Sequence, residues 1–199
     1  MSARLCAAAG LLALLASVLA VPALSANTPK EKLLGTYGSW RAYAYDEGGQ
    51  TVCYMVTTKI LKTSAAKKRA TPYLMITHRP IEASRDVVSY GAGTLLDSKH
   101  GVKLRVGKAS FDLFSVRDTA WARDSLTDHK IAASVLNAPY AQISGIGTKK
   151  DMKIISDRFD LLGANSAYHA IGKACGLLET APKKPTPKKP VAAPRKKLH

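Results

Sequence analysis

The chain has 199 residues and a formal net charge of +16. Apart from its terminal segments it is long enough for one domain with a substantial core and too short for two. Arg4 contributes +1 and the cations after Thr180 contribute +7, leaving 22 basic against 14 acidic residues between them, so positive charge is both spread over a domain and concentrated in a tail.

Residues 1–26, MSARLCAAAGLLALLASVLAVPALSA, open with Arg4, run through an apolar stretch of Leu, Ala and Val, meet Pro22 and close on small residues. That order is the pattern of a secretory signal peptide, cleaved after Ala26 or slightly before. Ser17 and Pro22 interrupt the apolar run, which argues against a retained anchor, and Cys6 lacks the processing box of a lipoprotein and leaves with the signal. No later run has the length needed to cross a bilayer, so the expected location is the periplasm or beyond the cell.

After an N-terminal linker over 27–36, the chain reads as short strands. YGSWRAYAY (37–45) alternates large with small or polar residues, turns at DEGGQ and resumes as TVCYMVTTKIL (51–61), which predicts a first hairpin. The basic connector KTSAAKKRATP is long for a hairpin and expected to be exposed. YLMITHRP (73–80), DVVSYGAG (86–93), GVKLRVG (101–107) and SFDLFSV (110–116) follow, separated by Pro, Gly and Asp-Ser punctuation. Closely spaced strands of this kind point to an antiparallel sandwich or partial barrel.

DSLTDHKIAASVL (124–136) breaks the pattern with a helix whose face carries Leu126, Ile131, Val135 and Leu136, capped by Asp124 or Ser125. Strands return at YAQISGIG (140–147) and KIISDRFDLL (153–162). A last helix follows, with Asn165 or Ser166 as cap, Tyr168, Ile171 and Cys175 at helical spacing, and Gly176 as the stop. The tail over 179–199 holds repeated prolines and almost no large apolar residues, so it is expected to be an extended, disordered, polyproline-II-like arm. Its Lys183, Lys184, Lys188, Lys189, Arg195, Lys196 and Lys197, with Lys67, Lys68 and Arg69 of the connector, are the candidate polyanion-binding residues. A solvated spacer is the competing reading of the tail.

Removing the signal leaves Cys53 and Cys175 in an oxidising compartment, where a bridge between them is the simplest account. It would close a loop of 122 residue steps (175 − 53), a contribution of roughly 4–5 kcal/mol in the chain-entropy picture. Two buried free thiols, or a redox pair at unusual spacing, are the alternatives.

The search for chemistry is mostly negative. The histidines at 78, 100, 129, 169 and 199 fall on separate segments, without metal-ligand spacing, and no cofactor is expected. Asp118, Asp124 and Asp128 surround Trp121, but a helix entrance attracts aspartate for capping and dipole reasons. GIG near Gly145 and GAG near Gly91 lack the strand-to-helix context of a nucleotide loop, and no nucleophile elbow accompanies Ser84 or Ser89. Trp40, Trp121, Tyr43, Tyr45, Tyr54 and Tyr90 are the large aromatic candidates. Core packing is their ordinary reading; if some surface together beside Arg41, Arg79 or Arg85, they form a platform for a sugar or peptide.

SWRAYAY with CYMVT, then FDLFSVRDTAWARDSLTDHKIAASVLNA, then FDLLGANSAYHAIGKACG resemble the invasion-associated locus B family of exported, mainly alphaproteobacterial proteins, over roughly Tyr37 to Gly176. The resemblance implies a signal peptide and a mostly β domain over 37–178 with a late helix. It carries over the early-strand and terminal-helix cysteines onto Cys53 and Cys175. Some members have extra cysteines near the segment that here contains Ser115 and Ala120, and this chain has neither. The founding association of the family is with entry of a pathogen into host red cells, and similar chains occur in free-living bacteria.

Three functions follow as expectations. The first is a non-catalytic envelope protein that binds an envelope or host protein or glycan through a disulfide-clamped β domain. The second is an electrostatic module whose basic tail holds anionic lipid, glycan or nucleic acid. The third is an unrecognised periplasmic hydrolase, which would need carboxylates or histidines converging in a pocket.

Overall fold

The computed structural model describes residues 30–63, 69–148 and 154–177. The segment over 1–26 read as a signal peptide, the tail over 179–199 and the connector lysines Lys67 and Lys68 lie outside the described residues. The strands are β1 Lys32–Tyr37, β2 Trp40–Glu47, β3 Gln50–Thr57, β4 Ile60–Thr63, β5 Tyr73–Arg79, β6 Ser84–Gly91, β7 Val102–Val106, β8 Ala109–Val116, β9 Thr119–Trp121, β10 Tyr140–Ile146 and β11 Ile154–Asp160. Helix α1, Ser125–Leu136, lies between β9 and β10, and α2, Ala164–Ala174, follows β11. The strands form one open antiparallel sheet in the order β1-β2-β3-β5-β6-β9-β8-β7-β10-β11-β4. The mainly β architecture with an inserted helix and a C-terminal helix is the one the sequence predicts.

The sheet folds over on itself. Only Thr58 and Lys59 separate β4 from β3, yet β4 pairs with β11 at the far edge, so one continuous stretch of chain belongs to two distant parts of the sheet. The two halves enclose a core in which Tyr90 of β6 meets Phe159 of β11 edge-on at 6.1 Å, both fully buried. Along β3, Cys53, Met55 and Thr57 point into this core, while Tyr54 and Val56 alternate outward, half-buried.

Four expectations change in detail. The segment read as a linker over 27–36 contains most of β1, because Gly38 and Ser39 form a two-residue turn that sets Tyr37 opposite Trp40. Gly38 has φ +58, which glycine adopts freely. The run read as one strand over 51–61 divides at Thr58 and Lys59, where the chain leaves β3 for β4. A three-residue strand, β9, pairs β6 with β8 where no strand is expected. Leu126, placed on the apolar face of the inserted helix, is 62% exposed; Ile131 and Val135 carry that face.

Asp124 caps α1 as expected, its Oδ1 accepting from the Thr127 N–H at 2.8 Å, an interaction worth about 1 kcal/mol. Helix α2 begins earlier than Asn165 or Ser166 would place it, after Gly163 at φ +89. A side chain there would collide with the Tyr37 carbonyl, its Cβ lying 2.1 Å from that oxygen. The β1–β2 turn is therefore seated against the start of α2, and the Ser39 N–H donates to Leu162 O at 2.9 Å. At the other end of α2, Cys175 is bonded to Cys53 of β3 with Cα atoms 6.0 Å apart, which joins the last helix to an inner strand. No helix among the described residues is long and apolar enough to cross a membrane.

Candidate functional site: a tyrosine groove on the outer sheet face

Strand alternation brings side chains from β2, β3 and β5 together on the outward face of the sheet. Tyr43 is opposite Tyr54, and Tyr54 is opposite Thr77. Side chains of this face line an open groove of about 420 Å³, formed by Glu31, Tyr45, Tyr54, Val56, Tyr73, Met75, Thr77 and Arg79. Tyr43 and Tyr54 stack at 5.0 Å, and Tyr45 meets Tyr54 edge-on at 6.2 Å. Tyr73 lies across Gly91 of β6, its cross-strand partner. A Cβ on Gly91 would come within 2.1 Å of the Tyr73 ring, so a bare backbone is required beneath it.

Polar groups fix the rings. The Tyr54 hydroxyl donates to Glu31 Oε1 at 2.8 Å. Burial, together with that carboxylate, pushes the Tyr54 phenol well above its ordinary range, so it remains a donor at any physiological pH. Arg79 donates to Glu47 and, at 3.4 Å, to the Tyr45 hydroxyl. The groove thus offers aromatic faces and fixed hydroxyls over apolar Val56 and Met75. Such a surface stacks on a sugar ring or an extended peptide.

A second constellation lies between β5, β6 and the helices. Asp86 takes a left-handed backbone conformation, φ +64, in a bulge of β6, and its side chain is 1% exposed. Its Oδ1 accepts from the Tyr168 hydroxyl at 2.6 Å and its Oδ2 lies 2.7 Å from His129 Nδ1. His78 is fully buried beside it, and its Nδ1 accepts from the Asp86 N–H at 3.2 Å. Burial lowers the His78 pKa, against the attraction of Asp86. Asp128 accepts from the Val88 N–H at 2.8 Å, and burial raises its carboxyl to about 6. Sequence reasoning sets the histidines on separate segments, and the fold brings two of them to one carboxylate. Among the described residues the hydrogen-bond partner of His129 is Asp86.

Arg69 is not the surface cation that the connector suggests. Its side chain is 8% exposed and its guanidinium grips both oxygens of Asp157, with Nη1 to Oδ2 at 2.9 Å. The Tyr90 hydroxyl and Thr63 Oγ1 each donate to Asp157 at 2.7 Å, and Arg69 Nη1 donates to Ala92 O. Position 69 reads as a loop cation because its partner lies 88 residues away and nothing local announces it.

The aromatic candidates divide. Trp40 and Tyr90 are core residues; Tyr43, Tyr45, Tyr54 and Trp121 share the outer face. Arg79 joins the groove and Arg85 instead approaches Tyr168. Tyr73 is missed by the sequence reading, although its alternation with buried Leu74 carries the signal. Ser115 and Ala120, in the segment where relatives in the resembled family carry extra cysteines, are cross-strand partners on β8 and β9. Among the described residues no group of three or more His, Cys, Asp or Glu side chains could hold a metal ion.

With these features in place, the comparison with solved structures finds a counterpart in the crystal structure of invasion associated protein B from Bartonella henselae. The two share a fold. The likeness covers 70% of this chain and 95% of that one, with a TM-score of 0.51 and 17% sequence identity. At that identity the fold is what is shared. No protein-family profile matches the sequence. No curated protein matches it either.

Proposed function

We propose that this chain is an exported, non-catalytic envelope protein of the invasion-associated type, which binds another envelope or host component through the tyrosine groove. The observation that carries this reading is the groove itself: tyrosines from three strands, held by Glu31 and Arg79 on a face that no other described element covers. The clamp from Cys53 to Cys175 and the signal-like N-terminus support export. The fold shared with an invasion-associated protein supports the class of protein.

The test is titration of the full mature chain with neutral oligosaccharides and proline-rich peptides, read by chemical shifts of the tyrosine rings. A ligand of the groove moves Tyr45, Tyr54 and Tyr73, and Tyr54→Ser/Tyr73→Ser lowers its affinity at least tenfold while circular dichroism stays unchanged. Binding that survives this double substitution at full strength would sink the proposal.

A further inference from the structure

The other half of the sheet presents a different outer face. Cross-strand pairing sets Arg105 of β7 opposite Gln142 of β10, Gln142 opposite Arg158 of β11, and Arg158 opposite Lys62 of β4. The intervening Leu104, Ile143 and Asp157 are buried, so the row points outward. With strands about 4.8 Å apart, it spans about 14 Å. No carboxylate interrupts it. Lys62 and Arg105 are exposed, and neither forms an ion pair with another described residue. Arg158 lies over the Tyr140 ring at 4.5 Å and donates to Gln142 Oε1 at 2.9 Å, two contacts that fix its guanidinium in the row. The carboxylates on this face are already engaged: Asp112 by Lys103, and Asp160 by Ser39 and the Leu162 N–H.

We propose that this row is a binding surface for an acidic glycan. The cations supply charge, and guanidinium forks match carboxylate or sulfate groups. Between and beside them stand Gln142, Ser144 and Ser156, hydrogen-bonding groups suited to sugar hydroxyls, on a straight track long enough for consecutive sugar residues. An anionic bilayer would favour a cluster of apolar side chains to bury alongside the charge; the nearest same-face neighbours of the row on β7, β10 and β11 are Lys103, Ser144, Ser156 and Asp160 with one exposed aromatic, Tyr140, whose ring already carries the Arg158 guanidinium. The surface is separate from the tyrosine groove and does not depend on its function.

The experiment is a titration of the full mature chain with a hexamer of galacturonic acid at several salt concentrations, beside a neutral hexasaccharide and phosphatidylglycerol vesicles. The expected result is binding of the acidic hexamer that weakens with salt, with little binding of the neutral sugar. Lys62→Gln/Arg105→Gln, at exposed positions, should weaken it about tenfold and reduce the salt slope by about two. Replacing Lys183, Lys184, Lys188 and Lys189 by Gln should leave a clear effect of Lys62→Gln/Arg105→Gln in the same chain. The proposal is overturned if the hexamer does not bind, if the neutral sugar binds as well, or if vesicles bind and the hexamer does not. It is also overturned if the tail substitutions abolish binding and the row substitutions change nothing.

Discussion

Asp157 and Asp86 are both buried carboxylates, yet Asp157 faces a guanidinium shielded from solvent, whereas Asp86 faces the exposed imidazole of His129 and the hydroxyl of Tyr168. Around Asp157 every partner is a fixed donor: Arg69, Tyr90 and Thr63, drawn from the connector, β6 and β4. Around Asp86 the surroundings can change charge, because burial lowers the pKa of His78 and raises that of Asp128, both within reach. The first arrangement locks the two halves of the sheet together. The second ties the helices to the sheet in a way that responds to pH.

The largest expected effect comes from removing the clamp beside the Asp86 cluster, where Cys175 Sγ lies 3.9 Å from His78 O. Cys53→Ser/Cys175→Ser should lose about 4 kcal/mol of stability in urea unfolding, and hydrogen exchange should quicken in α2 before it does in β10 and β11. Equal exchange in both regions would remove the distinction between the two halves. Next in size, Arg69→Met strands a buried Asp157 and should cost about 3 kcal/mol. His129→Gln, at a mostly exposed position, should cost less than about 1 kcal/mol. If the two substitutions cost the same, the contrast between the aspartates is wrong.

A third prediction concerns pH. The Asp128 carboxyl, raised to about 6 by burial, holds its proton more tightly in the folded state. Its stabilising contribution is therefore full below about pH 4, the unfolded value, and is lost as pH rises through 6. His78 acts in the opposite sense, since burial lowers its pKa: its contribution is full above about pH 6.5 and is lost as pH falls. Asp128→Asn keeps an acceptor for the Val88 N–H and removes the first dependence. The variant should gain about 1 kcal/mol over the parent at pH 7 and nothing at pH 4, measured as urea midpoints; a parallel offset at both values would refute the assignment. The smallest effect is at the entrance to the same helix. Asp124→Ala, losing the bond to the Thr127 N–H, should cost about 1 kcal/mol or less.

What the sequence reveals of this domain is its local grammar. β2 and β3 are legible because Gly48 and Gly49 separate two alternating runs, and α1 because Asp124 precedes buried Ile131 and Val135 at helical spacing. β1 is not legible, since Lys-Leu-Leu-Gly-Thr-Tyr has little strand character and gains its pairing from the turn at Gly38 and Ser39. β9 has only three residues and exists because β6 and β8 flank it. Of the groove, Tyr45 and Tyr54 follow from alternation, but their union with Tyr73 depends on β5 lying beside β3 across the connector. The roles of Arg69 and Asp86 rest on partners 88 and 43 residues distant, which no window of local sequence contains.

The passage of the chain from β3 directly into β4 also orders events in time. β4 lies early in the chain, yet the strand it pairs with, β11, is among the last to emerge from synthesis. One edge of the sheet therefore waits, unpaired, for most of the domain to be made. Folding governed by such distant partners is slow. Since Cys175 comes later still than β11, the bond to Cys53 can record only a nearly finished molecule, and its oxidation serves as a timestamp of completed assembly.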